Sequence, residues 1–171
     1  MRRLLLATAL ASLACGGLPD PDASPPPSGG AVDPTGTWAE PTTTYMVGYD
    51  GTSCPADGGS WAEDRCLFAS TNTATFTPTG QDGVWTVQID TIGANAHLCS
   101  LEGEARQSDG VLVVSAPTEV YDAESDSFRE AACAFPVRID GGTLSFEGDG
   151  EACRSFCGAR AYLGISAARR E

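Results

Sequence analysis

The sequence predicts an all-β protein, an antiparallel up-and-down barrel of about eight strands that is stapled by disulfides. Three observations support this prediction. From Thr37 onward, apolar and polar side chains alternate with a period of two, which is typical of half-buried antiparallel strands. Asp-Gly pairs such as Asp82-Gly83 and Asp109-Gly110 separate the runs, and they favour tight hairpins. No stretch has a convincing amphipathic helical pattern.

Eight strands follow one another along the chain, at 37–48, 66–77, 84–92, 97–106, 111–120, 131–139, 143–148 and 159–167. The short links between them favour a meander, and closure into a barrel removes exposed strand edges. The interior of an eight-stranded barrel is either filled by side chains or holds one small ligand. The inward-facing set leaves both possibilities open: Trp38, Phe76, Trp85, Leu101, Gly103, Ala105, Phe135 and Phe146.

The N-terminus has the pattern of an export signal. Arg2 and Arg3 precede an apolar run that ends at Leu13, and Ala14 then stands before Cys15. The run is shorter than the roughly 20 residues of a spanning helix. The segment resembles a bacterial lipoprotein signal, which implies that Cys15 is acylated and becomes the mature N-terminus. The alternative is an ordinary signal peptide with a cysteine near its cleavage site.

The chain divides into three parts on this interpretation. Residues 1–14 are the signal peptide, residues 15–35 are the acylated cysteine and a Pro/Gly/Ser-rich tether, and residues 36–171 are the barrel domain. Gly16, rather than Asp, follows the acylated cysteine, which resembles lipoproteins sent on to the outer membrane. We therefore expect a lipid-anchored protein of the cell envelope, held at the outer membrane.

Six cysteines remain when Cys15 is lipidated: Cys54, Cys66, Cys99, Cys133, Cys153 and Cys157. An even number in an oxidising compartment predicts up to three disulfides, with fifteen possible connectivities. Chain distance and strand face favour the pairs 54–66, 99–133 and 153–157. A metal site or redox pair at Cys153 and Cys157 is the alternative, but no Cys or His cluster is nearby and redox motifs use Cys-x-x-Cys.

The charge of the chain restricts its partners. The formal net charge is −13, it becomes −15 when the signal with Arg2 and Arg3 is removed, and the sequence contains no lysine. Such a surface repels nucleic acid and anionic lipid headgroups, and it attracts basic partners. We expect contact with the membrane only through the N-terminal lipid, a basic protein or cell-wall partner, and no nucleic acid.

The sequence offers no evident catalytic site, cofactor site or metal site. His97 is the only histidine, and Cys99 lies on the same predicted strand face, so Cys-His catalysis would need a free Cys99. Glu102 and Glu104 are better explained as solvated strand charges than as a glycosidase pair. The acidic loops Asp122–Asp126 and Asp57–Asp64 lack the regular ligand spacing of a calcium loop.

Two short patterns resemble known families. Gly36-Thr37-Trp38 resembles the Gly-x-Trp that opens lipocalin and avidin-like barrels, in which the Trp plugs the floor, and a late arginine, Arg160 or Arg169, would stack on it. From His97, His-x-Cys-x-Leu-x-Gly-x-Ala and a later Cys-x-x-x-Cys-Gly-Ala-Arg-Ala resemble domains of small bacterial periplasmic proteins, some of which sit beside or near lysozyme-inhibitor-type lipoproteins. That resemblance implies a domain type. The membrane-bound lysozyme inhibitors share the lipid anchor and the eight-stranded barrel, but their inhibitory Ser-Gly-rich loop ending in Lys-Tyr has no match in this sequence.

Three functions remain as hypotheses. The first, which we favour, is an envelope-tethered binding module for a basic protein, such as a lysozyme, or for the cell wall. The second is a lipocalin-like carrier, which needs an open interior. The third is an enzyme, which needs His97 exposed beside a free Cys99. A role as a lysozyme inhibitor is an alternative within the first class.

Overall fold

The fold is all-β, as the alternation predicts. The computed structural model describes residues 33–46, Cys54, 59–159 and 161–170. Its strands are β1 (Gly36–Met46), β2 (Ser60–Ala62), β3 (Arg65–Pro78), β4 (Val84–Ile92), β5 (Leu98–Ser108), β6 (Val111–Asp122), β7 (Ser127–Asp140), β8 (Thr143–Gly148) and β9 (Leu163–Arg170). A 3-10 turn at Ala94–Ala96 joins β4 to β5, and one helical turn, α1 (Glu151–Arg154), follows β8.

Eight of these strands close into an antiparallel barrel. Each of them pairs with the next one along the chain, and β1 pairs with both β3 and β9, which completes the ring. The predicted up-and-down meander is therefore confirmed. The short strand β2 is an addition that pairs with the start of β3. Sequence reasoning left its residues in a loop, because three residues are too few to show an alternating pattern.

Inward-facing side chains fill the barrel. All eight barrel strands contribute to one buried cluster, whose largest members include Trp38, Phe76, Ile89, Leu101 and Leu144. The predicted inward set is buried, except for the half-buried Gly103. An added Cβ at Gly103 would lie 2.6 Å from the carbonyl oxygen of Ser115. The glycine therefore allows the backbones of β5 and β6 to approach closely.

A segment that we call the strap, residues 151–158, lies between β5 and β6. Its end pairs with β5: the Ser100 N–H donates to the Phe156 carbonyl at 3.0 Å, and the Gly158 N–H donates to the Leu98 carbonyl at 2.8 Å. Its start, α1, packs against β7 and β6. The Ser155 and Thr118 hydroxyls share a hydrogen bond of 2.7 Å. The strap thus connects β5 and β6 where these two strands no longer pair with each other.

The disulfides follow from the position of the strap. The Cys54–Cys66 pair is confirmed, but the predicted pairs 99–133 and 153–157 are wrong. Cys99 pairs with Cys157, and Cys133 pairs with Cys153. Cys99 lies on β5 and Cys133 lies on β7, and β6 stands between these two strands. The backbones of β5 and β7 are therefore about 10 Å apart, which is more than the Cα separation that a disulfide can span. Each strap cysteine faces a different strand, and the two therefore do not pair with each other.

The floor of the barrel joins its first and last strands. The Trp38 indole N–H donates to the Pro34 carbonyl at 2.7 Å, and the Arg170 guanidinium lies 4.8 Å from the centre of the Trp38 ring. The arginine on the tryptophan is therefore Arg170; Arg169 does not hold this position, and Arg160 lies outside the described residues. A register shift in β9 explains the difference, because one extra residue moves the following side chains to the opposite face.

The pairing of β1 with β9 and the pairing of β3 with β4 end at the same height of the barrel wall. β1 pairs with β9 only at Trp38 and Ala39, and β3 pairs with β4 only from Thr73 onward. Glu40 and Asn72, the next residues, lie directly opposite each other. One Glu40 oxygen accepts the N–H groups of Ser166 and Ala167 at 3.0 and 2.9 Å.

Asn72 completes this arrangement, which we call the Glu40–Asn72 clasp. Its amide NH₂ donates to the second Glu40 oxygen at 3.0 Å, and its carbonyl oxygen accepts the Ile92 N–H at 2.9 Å. The clasp thus gives hydrogen-bond acceptors to the N–H groups of Ser166, Ala167 and Ile92, where the strand ladders end. Beyond it, β1 and the first half of β3 continue as a ribbon.

Candidate interaction surface

The β6–β7 hairpin extends beyond the sheet as an arm, residues 116–136. β6 pairs with β5 only over Val111–Ser115, and β7 pairs with β8 only over Val137–Asp140, whereas β6 and β7 pair with each other from Leu112 to Asp122. The strap covers the inner face of the arm near the barrel. No described segment covers the outer face of its distal half, where the side chains are exposed.

Two cross-strand pairs make up the outer face of the distal half of the arm. Tyr121 lies opposite Phe128, and Glu119 lies opposite Glu130. The two rings meet edge to face with their centres 5.6 Å apart, yet Tyr121 is 49% and Phe128 is 68% exposed. Like charges directly opposite each other destabilise a sheet. The arm therefore carries a solvent-exposed aromatic pair beside an electrostatically unfavourable carboxylate pair.

The loop at the tip holds this face in place. The Tyr121 hydroxyl donates to Asp126 at 2.5 Å. This hydrogen bond is the larger cause of a raised Tyr121 pKa, and desolvation is the smaller one. The Asp122 carboxylate accepts the Glu124 N–H at 3.0 Å and the Ser125 hydroxyl at 2.9 Å. These hydrogen bonds lower the pKa of Asp122. The carboxylates of the predicted acidic loop thus stabilise the turn of the arm.

A groove of about 560 Å³ crosses the outer wall of the barrel. It begins near Glu40 and runs across β9 and β8 to β7, and its lining includes Arg138, Glu147, Asp149 and Tyr162. The Tyr162 ring lies over Gly164, where an added Cβ would be 3.1 Å from it. The ring is nevertheless 72% exposed.

His97 and Cys99, the two residues that Cys-His catalysis would need, have structural roles. Cys99 is fully buried and bonded to Cys157, so it is not a free thiol. His97 packs against Gly158 of the strap, where an added Cβ would lie 2.9 Å from its Nδ1. The arrangement links the β4–β5 turn to the strap. It does not place a nucleophile beside a base, as Cys-His catalysis requires.

The remaining predicted residues lie apart from one another. Glu102 and Glu104 are on the outer face of β5, and Glu104 forms an ion pair with Arg106. Within the described ranges, no group of three His, Cys, Asp or Glu side chains has the geometry to hold a metal ion, and no helix there is long and apolar enough to cross a membrane. Cys15 and part of the Asp57–Asp64 loop lie outside the described residues.

Sequence reasoning missed the aromatic pair on the arm. The predicted strands end at residue 120 and begin again at 131, so Tyr121 and Phe128 fall in the predicted connection. The alternation of β6 continues to Asp122, and that of β7 begins at Ser127. Extension of both strands to a four-residue turn would have placed the two rings opposite each other.

Comparison of the chain with protein-family models, with curated proteins and with solved structures found no significant match.

Proposed function

We propose that this protein is a binding module of the cell envelope that recognises a basic protein partner through the outer face of the arm. One observation carries the proposal: the exposed Tyr121–Phe128 pair lies next to Glu119 and Glu130, two carboxylates held directly opposite each other. A cationic side chain of a partner would relieve their repulsion, and the rings would supply apolar contact area. Exposed aromatic residues of this kind are typical centres of protein interfaces.

The charge of the whole chain supports a basic partner. The formal net charge of −13 attracts cationic proteins over a Debye length and disfavours acidic ones. The filled interior favours recognition on the outside of the barrel, and the disulfide at Cys99 favours a role without catalysis. A lysozyme is a suitable basic probe, because lysozyme inhibition is one form that such binding would take.

The proposal includes a lipid on Cys15 that holds the protein at the outer membrane. The test compares the wild-type chain with Cys15→Ser in a bacterial host. The wild type should fractionate with membranes and carry a mass increase on its N-terminal peptide, and the variant should lose both. A wild-type N-terminal peptide without acyl groups would contradict the lipid anchor and leave the binding proposal unaffected.

Binding is tested by titrating the full chain with a basic lysozyme in a calorimeter, and the lytic activity is recorded in parallel. Tyr121→Ala/Phe128→Ala and Glu119→Gln/Glu130→Gln should each weaken binding at least tenfold, because they remove the aromatic contact or the carboxylates. Glu102→Gln/Glu104→Gln removes the same charge from β5 and should change binding less than twofold. Equal effects of the two charge variants would show that net charge alone attracts the lysozyme.

A further inference from the structure

The outer face of β8 and β9 places an aromatic ring next to two carboxylates. Glu147 lies opposite Gly164 in the β8–β9 ladder, and the Tyr162 ring occupies the space above that glycine. Gly148 and Leu163 form the last pair of this ladder, and their chain neighbours Asp149 and Tyr162 lie just beyond its end. All three side chains line the same groove. Glu147 and Asp149 therefore flank the ring on one face of the sheet.

None of these side chains is engaged elsewhere in the part of the chain that the structure describes. The ion pairs there join Arg65 to Glu63, Arg106 to Glu104, and Arg129 to Glu151. The arginines found over rings are Arg65 on Tyr45, at 4.9 Å, and Arg170 on Trp38. Unlike these two rings, the Tyr162 ring is largely exposed, and no arginine lies over it among the described residues. The exposed Tyr162 ring is therefore accessible to a cation of another molecule.

We propose that this groove binds an arginine side chain of an extended partner segment, with the guanidinium over the Tyr162 ring and between Glu147 and Asp149. A ring face attracts a cation, and carboxylates hold a guanidinium through charge-assisted hydrogen bonds. The groove volume of about 560 Å³ lies in the range of ligand sites and accommodates a few residues of a peptide.

The charges of the groove also orient the bound segment. Arg138 lies opposite Ser145 of β8, two residues before Glu147. It forms no ion pair with another described residue. The groove is therefore cationic toward β7 and anionic toward the end of β8. An extended peptide places its arginine at the anionic end and a carbonyl or carboxylate group near Arg138.

This inference rests on the proposed function, because it gives the basic partner a second contact. The arm and the groove consist of different residues, and they can therefore be tested separately. A nuclear magnetic resonance titration of the ¹⁵N-labelled full chain distinguishes them. The probe is a blocked Gly-Ser-Arg-Ser-Gly peptide, and its control replaces arginine with citrulline, which keeps the shape of the side chain and removes the charge.

The arginine peptide should shift the amide signals of residues 145–149 and 162–166. The citrulline peptide should bind at least tenfold more weakly. Tyr162→Ala and Glu147→Gln/Asp149→Asn should each weaken binding at least tenfold. Tyr162→Phe, which keeps the ring, and Glu102→Gln/Glu104→Gln should stay within twofold of the wild type. The thermal unfolding of each variant, followed by circular dichroism, verifies that it folds.

Four results would overturn the inference. Shifts confined to the arm would refute the groove and leave the proposed function standing. Equal weakening by the groove and β5 charge variants would show that the peptide responds to diffuse charge. Equal binding of the two peptides would exclude a cation site. If neither the peptide nor the lysozyme bound the chain, the groove and the proposed function would both fail.

Discussion

Glu40 shows how one side chain determines where the barrel wall opens. Its carboxylate accepts hydrogen bonds from β9 on one side and from Asn72 on the other. Burial raises the pKa of Glu40, but the hydrogen bonds from Ser166, Asn72 and Ala167 outweigh it and lower the pKa below its usual value. A carboxylate with a lowered folded-state pKa stabilises the protein in its ionised form.

Glu40→Gln should reduce the free energy of unfolding by about 1 kcal/mol at pH 7, because glutamine keeps one acceptor oxygen but loses the negative charge and the second oxygen that accepts from Asn72. The difference from the wild type should persist at pH values above the unfolded-state pKa of about 4.3, and it should shrink as the pH falls through the lowered folded-state pKa. Urea unfolding at pH 7 and pH 3 measures it. A difference that is independent of pH would contradict the role of the ionised carboxylate.

Gly103 is the second position at which a single residue is decisive. Gly103→Ala should destabilise the protein by about 1–3 kcal/mol, because the added Cβ would meet the backbone of β6, which cannot rotate away. Gly150→Ala is the matched control: no atom lies within 4 Å of its added Cβ, and its effect should stay below about 0.5 kcal/mol. Thermal and urea unfolding of both variants provide the comparison. Equal losses in the two variants would contradict the close contact with β6 as the cause.

At the scale of elements, the strap determines how the arm is held. The Cys99–Cys157 bond closes a loop of 58 residues, and the Cys133–Cys153 bond closes one of 20. Replacement of each pair by alanine should cost about 4 and about 3 kcal/mol respectively, since longer loops lose more entropy on closure. Urea unfolding of the two double variants measures this order. A larger loss for the shorter loop would favour packing of α1 over chain entropy as the cause.

The strands, but not their junctions, could be predicted from the sequence. Alternation is a local property, and it located eight barrel strands because each residue of a strand faces either the core or solvent. The last strand, predicted at 159–167, begins at Leu163 and ends at Arg170. The strap precedes it, and a register shift interrupts its alternation.

The same limit applies to the disulfides and to the interaction surface. The pairing of Cys133 with Cys153 depends on where the strap lies, and no local pattern specifies that position. The groove likewise combines β8 with the residues around Tyr162 through a long-range register. The acidic composition did predict the sign of the surface charge, because net charge does not depend on the fold.

At the scale of the whole molecule, charge should govern the rate of association. The formal net charge of −13 produces long-range attraction to a basic protein. The association rate with a lysozyme should fall at least tenfold between about 0.1 and 1 M salt, since the Debye length falls from about 10 to about 3 Å. Stopped-flow fluorescence measures the rate, and neutral sucrose at matched viscosity is the control. A rate unchanged by salt would contradict electrostatic steering.

The floor of the barrel has a consequence for how the molecule is presented. Arg170 stacks on Trp38 and donates to the Asp33 carbonyl at 2.6 Å, so the described chain enters and leaves at one end. The tip of the arm, at Asp122–Ser127, lies at the opposite end, because each barrel strand runs the length of the wall. A surface attached next to Asp33 or Arg170, the two ends of the described barrel, therefore lies at the far end from that tip. Immobilisation chemistry placed beside either residue leaves the arm uncovered.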